Sequence, residues 1–270
     1  MSFSAPGSPP PGQPYPQPYP QPGAHPHPYQ GHPQGHPYPG APGYPAPAVR
    51  QDVPRSPKGL ATALTWLLGA GAAVHLFSAG AGGYEQSWLG GFAPDTHFDD
   101  LEISLSAGLT MLAGALQVLT MVPTIVVFII WFHRVRGNGG VFRPDAFTLG
   151  RGWAIGAWFV PVANLVMPYL IARQTWRAST QRGPDGSERS ASMALLTSWW
   201  VVWVVAASLG RIFSKVYMAA DTVEELLAAG SLGIVADLVT MVAAVLALLF
   251  VRRLTEMQNT MAAQGPYARS

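Results

Sequence analysis

The chain has 270 residues, 49% of them hydrophobic and only 11% charged, with no cysteine and a formal net charge of +2. A soluble globular domain carries about 25% charged residues, so the composition argues against one. The absence of cysteine excludes a disulfide framework, a cysteine-based zinc site and a thiol nucleophile.

The first 58 residues contain 19 of the 26 prolines. They read as approximate repeats, such as Pro14-Tyr15-Pro16-Gln17 and Pro18-Tyr19-Pro20-Gln21, then Gly31-His32-Pro33-Gln34. Proline fixes φ and removes the backbone donor, which rules out a helix or a central strand. With almost no Val, Ile or Leu, the segment cannot bury enough surface to offset its ordering entropy, and disorder with polyproline II character is expected over residues 1–58. Such a tail can dock in an aromatic-lined groove of a protein partner. Its histidines His25, His27, His32 and His36 offer weak metal binding instead. A plain solvated spacer is the third reading. The spacing of Tyr15, Tyr19, Tyr29, Tyr38 and Tyr44 favours self-association over metal chemistry. No apolar run precedes Leu60, so no signal peptide is expected.

Four segments then supply the roughly 20 apolar residues that a helix needs to cross a bilayer core of about 30 Å. They are 60–79, 105–132, 194–213 and 232–251, within a membrane domain of 59–260 that leaves a short C-terminal tail, 261–270. A fifth stretch, 153–172, is long enough but is interrupted by Pro161, Asn164 and Pro168. Basic residues stay cytoplasmic, which fixes the orientation. Arg50, Arg55 and Lys58 precede the first span, and Arg134, Arg136, Arg143 and Arg151 follow the second. Between them lies an acidic loop with Glu85, Asp95, Asp99, Asp100 and Glu102. If the fifth stretch dips in and returns, 14 of the 16 Lys and Arg residues lie inside, with Arg211 and Lys215 outside. If it spans, the division is nine to seven. The expected fold is therefore all-α: four transmembrane helices, one re-entrant or interfacial Pro-broken segment, and both termini cytoplasmic in a multi-pass protein of the cell membrane.

The fifth stretch carries the most distinctive motif, Gly152-Trp153-Ala154-Ile155-Gly156-Ala157-Trp158-Phe159-Val160-Pro161-Val162-Ala163-Asn164-Leu165, followed by Pro168-Tyr169 and Trp176-Arg177-Ala178-Ser179. It resembles an actinobacterial multi-pass membrane family known only as a domain of unknown function. The resemblance implies a multi-helix membrane protein and brings no established activity. On the residues themselves, Pro161 removes one helical hydrogen bond, and in lipid the freed carbonyl needs a partner. Asn164 can supply it. Alternatively, unwound backbone and Asn164 form a ligand or ion site, as in broken-helix transporters. Beyond Pro168, Arg173, Trp176 and Arg177 suit an interfacial helix whose arginines meet anionic lipid.

Charged residues inside the spans form a second candidate site. Arg211 and Asp237 fall on consecutive antiparallel spans at similar depth, with His75 near the same level, and an Arg211–Asp237 ion pair is expected. The small-residue pairs Gly69/Ala73, Ala206/Gly210 and Ala243/Ala247 fit close helix packing. Trp199 and Trp203 share a face and read as packing or an interfacial belt. No phosphate loop, HExxH, nucleophile elbow or dinucleotide fingerprint occurs. His75, His97 and His133 are too scattered for a metal site. No enzyme activity, cofactor or nucleic-acid partner is expected. Membrane lipids and a protein partner for the tail are. The sequence favours a non-enzymatic envelope scaffold that recruits through its tail, with a transporter or channel built on the Pro161/Asn164 break as the alternative.

Overall fold

A computed structural model describes residues 53–91, 100–181 and 191–264. The expectation of a disordered tail covers residues 1–58, of which 1–52 lie outside the described residues, while Lys58 already begins α1. The described residues form six α-helices: α1 (Lys58–Leu89), α2 (Asp100–Phe142), the single turn α3 (Trp153–Gly156), α4 (Met167–Ala178), α5 (Ala194–Met218) and α6 (Val223–Gln264). Four of them, α1, α2, α5 and α6, are long and apolar enough to cross a membrane. All four overrun the expected spans, and α6 continues past residue 260. Local chemistry accounts for several ends. Asp100 and Glu102 place negative charge in the first turn of α2. Thr222 and Glu225 form a reciprocal capping box on α6: the Glu225 carboxylate accepts from the Asp221 and Thr222 N–H groups at 2.8 and 3.2 Å, and Thr222 Oγ1 accepts from Glu225 N–H at 3.2 Å.

The helices pack in the order α2, α1, α6, α5, each against the next. The α3–α4 segment fills the space beside α2 and α5 at the end where the arginines cluster. Large apolar side chains face outward over the spans: Leu105, Leu112, Leu119 and Val126 make an exposed seven-residue repeat along α2, and Trp66 on α1 is 76% exposed. Apolar surface this extensive is excluded from water in a folded protein, and lipid covers it here.

The fifth stretch does not span. Its longest helix, α4, has 12 residues, or about 18 Å, against a core of about 30 Å. The chain reverses at Pro161, whose carbonyl accepts from Ala163 N–H at 2.7 Å while Val162 takes a φ of 66°. This γ-turn is costly for a β-branched residue. The turn carries an apolar tip, with Phe159 69% and Val162 78% exposed. Flanking it, Ala157 before the turn and Ala172 after it are fully buried. An apolar exposed tip between two packed flanks fits a re-entrant loop.

At the arginine-rich boundary of the spans, aromatic rings from four helices form the core. Trp131, Phe132 and Phe250 are fully buried. Trp199 stacks on Phe250 with ring centroids 4.7 Å apart, and Trp176 lies near-parallel to Phe250 at 6.0 Å. Trp158, from the re-entrant segment, meets Phe128 edge to face at 5.5 Å. Trp176 therefore faces this core and not lipid, which corrects the interfacial expectation for it. Arg173 is half-buried and Arg177 exposed on the other side of α4. Ala206, Ala243 and Ala247 are buried as close packing requires. Gly69 and Ala73 are exposed, so that pair makes no helix contact.

Beyond the aromatic layer, α2 and α6 project from the membrane and are joined by buried amides. Asn138 Nδ2 donates to Gln258 Oε1 at 3.0 Å, and Gln258 Nε2 donates to the Val135 carbonyl at 2.8 Å and to Ser179 Oγ at 3.1 Å. Asn138 also clamps the backbone before α1, accepting from Arg55 N–H at 2.9 Å and donating to its carbonyl at 2.8 Å. One side chain thus ties the root of the Pro-rich segment to α2 and α6.

Candidate functional site

Within the apolar spans the polar side chains converge at one place. Asp237 on α6 accepts from Gln117 Nε2 on α2 at 2.9 Å through Oδ1, and the same oxygen lies 2.7 Å from Nδ1 of His75 on α1. Each helix supplies one member, and α1 sits between the other two. His75 and Asp237 side chains retain 24% and 19% of their exposure, so the cluster is part-buried at the bundle surface. The apolar run of α1 between Lys58 and Glu85 has its midpoint near residue 71, that of α2 between Glu102 and His133 near residue 117, and that of α6 between Glu225 and Arg252 near residue 238. At about 1.5 Å per residue, all three side chains lie within about 6 Å of the bilayer centre. A span beginning at Leu232 would set Asp237 only about 8 Å into the bilayer, and the onset of α6 at Val223 places it deeper.

The expected Arg211–Asp237 pair does not form. Arg211 is exposed, and its Nη1 donates to the Ala207 carbonyl one turn back at 3.2 Å. The reason is rotational. Trp199 and Ala206 are buried, and a Cβ at Gly233 of α6 would lie 2.8 Å from the Phe213 ring, so the heptad 199/206/213 is the α6-facing side of α5. Arg211 stands two residues from Phe213, about 200° round the helix. His75 takes the place on Asp237 that the depth argument gave to Arg211. Gln117 was missed, although an amide in the middle of a thirty-residue apolar run was a visible signal.

With a proton on Nδ1, the His75 ring donates to the Asp237 carboxylate. Ionisable groups at this depth are costly and pair with one another, which this cluster does. The Pro161, Asn164 and Pro168 group is separate from it. Asn164 N–H donates to the Val160 carbonyl at 3.0 Å, and Pro168 is buried in the first turn of α4 where a missing N–H costs nothing. The carbonyls of Val160 and Pro161 are used inside the turn. Among the described residues no three His, Asp or Glu side chains converge to hold a metal.

Four spanning helices, a re-entrant loop and a three-helix polar cluster define a multi-pass α-helical membrane protein. Residues 95–256 match a family model, the domain of unknown function DUF4328, and the chain belongs to that family. No curated protein and no solved structure matches the chain.

Proposed function

We propose that this is a non-enzymatic membrane scaffold, with both termini cytoplasmic and the Pro-rich segment presented to protein partners from a fixed root. The observation that carries the reading is the clamp of Asn138 on both backbone groups of Arg55, joined through Gln258 to α6 and α4. A tail that served only as a loose spacer has no need of an attachment held at both backbone groups by a buried side chain. The packed aromatic layer of Trp131, Phe132, Trp199 and Phe250 closes the bundle at the same end and leaves a through-path little room. Proximity labelling with the full chain and with residues 1–48 deleted tests the proposal. Loss of a reproducible subset of labelled proteins on deletion supports it, and an unchanged set refutes it.

A second reading has its own support. Asp237, His75 and Gln117 at mid-depth are the kind of group that proton- or cation-coupled membrane proteins use. The transport route then runs past Asp237, not through the Pro161/Asn164 turn. Reconstitution into liposomes with an internal pH dye discriminates: a proton flux abolished by Asp237→Asn favours transport, and no flux above protein-free liposomes removes it.

A further inference from the structure

A groove of about 630 Å³ opens between α4, α5 and α6 at the arginine-rich boundary of the spans. Its walls are Trp176, Leu195 and Leu249, and its rim is Arg252, Arg253 and Glu256. The apolar run of α6 ends at Val251, so Leu249 lies within the hydrocarbon and Arg252 at the headgroup level. The charges at the rim are not equivalent. Arg253 Nη1 is held by the Glu256 carboxylate at 3.0 Å. Arg252 is exposed and, among the described residues, has neither an ion-pair nor a hydrogen-bond partner. Two further donors lie at the groove. α5 starts here, where Ser192 Oγ accepts from Ala194 N–H at 3.2 Å and Met193 at the N-cap makes no side-chain cap, so the positive end of its dipole adds to Arg252. Trp176 is 3% exposed, and its indole N–H has no hydrogen-bond partner among the described residues. A buried orphan donor is costly.

We infer that this groove binds an anionic phospholipid, with the headgroup phosphate on Arg252 and the leading amides of α5, and an acyl chain along Leu195 and Leu249. The position decides for lipid over a soluble anion. An apolar wall inside the hydrocarbon joined to an unpaired cation at its edge matches a molecule that is itself apolar and then anionic along its length. Glu256 works against binding, because it neutralises Arg253 and repels phosphate.

Native mass spectrometry of the full chain, titrated with phosphatidylglycerol, phosphatidylcholine or inorganic phosphate, tests the site. Phosphatidylglycerol is expected to stay bound in preference to phosphatidylcholine. Arg252→Gln should weaken its retention about fivefold, as loss of one interfacial cation implies. Glu256→Gln should strengthen it, a gain that no folding defect can imitate. Both side chains are exposed, so both variants should keep the wild-type unfolding temperature. Equal retention of the two lipids, unchanged retention in Arg252→Gln, or displacement of bound phosphatidylglycerol by millimolar phosphate would each overturn the inference.

Discussion

Asp237 is the side chain on which two other helices depend. Removing its carboxylate by Asp237→Ala leaves His75 Nδ1 and Gln117 Nε2 without their shared acceptor at mid-bilayer. A stranded polar group costs about 1–3 kcal/mol, so a fall of several degrees in the unfolding temperature of detergent-solubilised protein is expected. Asp237→Asn keeps an acceptor oxygen and should lose less. Arg211→Ala, by contrast, should stay within about 0.5 kcal/mol, since Arg211 is exposed and bonds only to its own helix. A loss from Arg211→Ala as large as that from Asp237→Ala would contradict the arrangement. That ionisable groups lie within the spans was legible in the sequence, but the depth of Asp237 was not, because α6 begins at Val223, well before Leu232. Their partners were not legible either. Which face of α5 meets α6 is set by the Phe213–Gly233 contact, and that contact depends on packing that no count along the chain reveals.

At the scale of elements, the four spans were legible because each is an apolar run bounded by charge. The helix extensions beyond them were not, since α2 past Phe132 and α6 past Val251 are held by buried amides and a clamped backbone. Asn138 is the test of that part. Asn138→Ala removes both bonds to Arg55 and the bond to Gln258, and leaves the Gln258 carbonyl oxygen without its donor. Trypsin should then cut after Arg55 markedly faster than in the wild type while α1 stays intact, as followed by mass spectrometry of the fragments. An unchanged cutting rate would show that the clamp does not hold the segment. The α5–α6 contact gives a second test. A Cβ at Gly233 would lie 2.8 Å from the Phe213 ring, so Gly233→Ala should cost about 1–3 kcal/mol by overpacking. Gly69→Ala, with open space around it, should be neutral or slightly stabilising in a thermal melt.

The start of α1 and the end of α6 lie at one end of the bundle, because Asn138 bonds both the backbone before α1 and Gln258 near the end of α6. Which side that is follows from charge. Arg55, Lys58, Arg134, Arg136, Arg143, Arg151, Arg252 and Arg253 gather at this end, whereas Arg211 and Lys215 share the other with Glu85, Asp100, Glu102, Asp221, Glu224 and Glu225. On the retention of basic residues at the cytoplasmic face, both ends are expected inside. The chain contains no native cysteine, so single cysteines report without background. Ser87 and Asp221 are exposed at the acidic end, and Ser192 is exposed at the arginine-rich end. Ser179, an obvious position in the sequence, is fully buried and would be silent from either side. In intact cells, Ser87→Cys and Asp221→Cys should react with a membrane-impermeant maleimide, and Ser192→Cys only after permeabilisation. The reverse pattern would invert the protein in the membrane. Reaction of Ser192→Cys together with Ser87→Cys in intact cells would mean that the stretch from Trp153 to Ala172 crosses the bilayer after all.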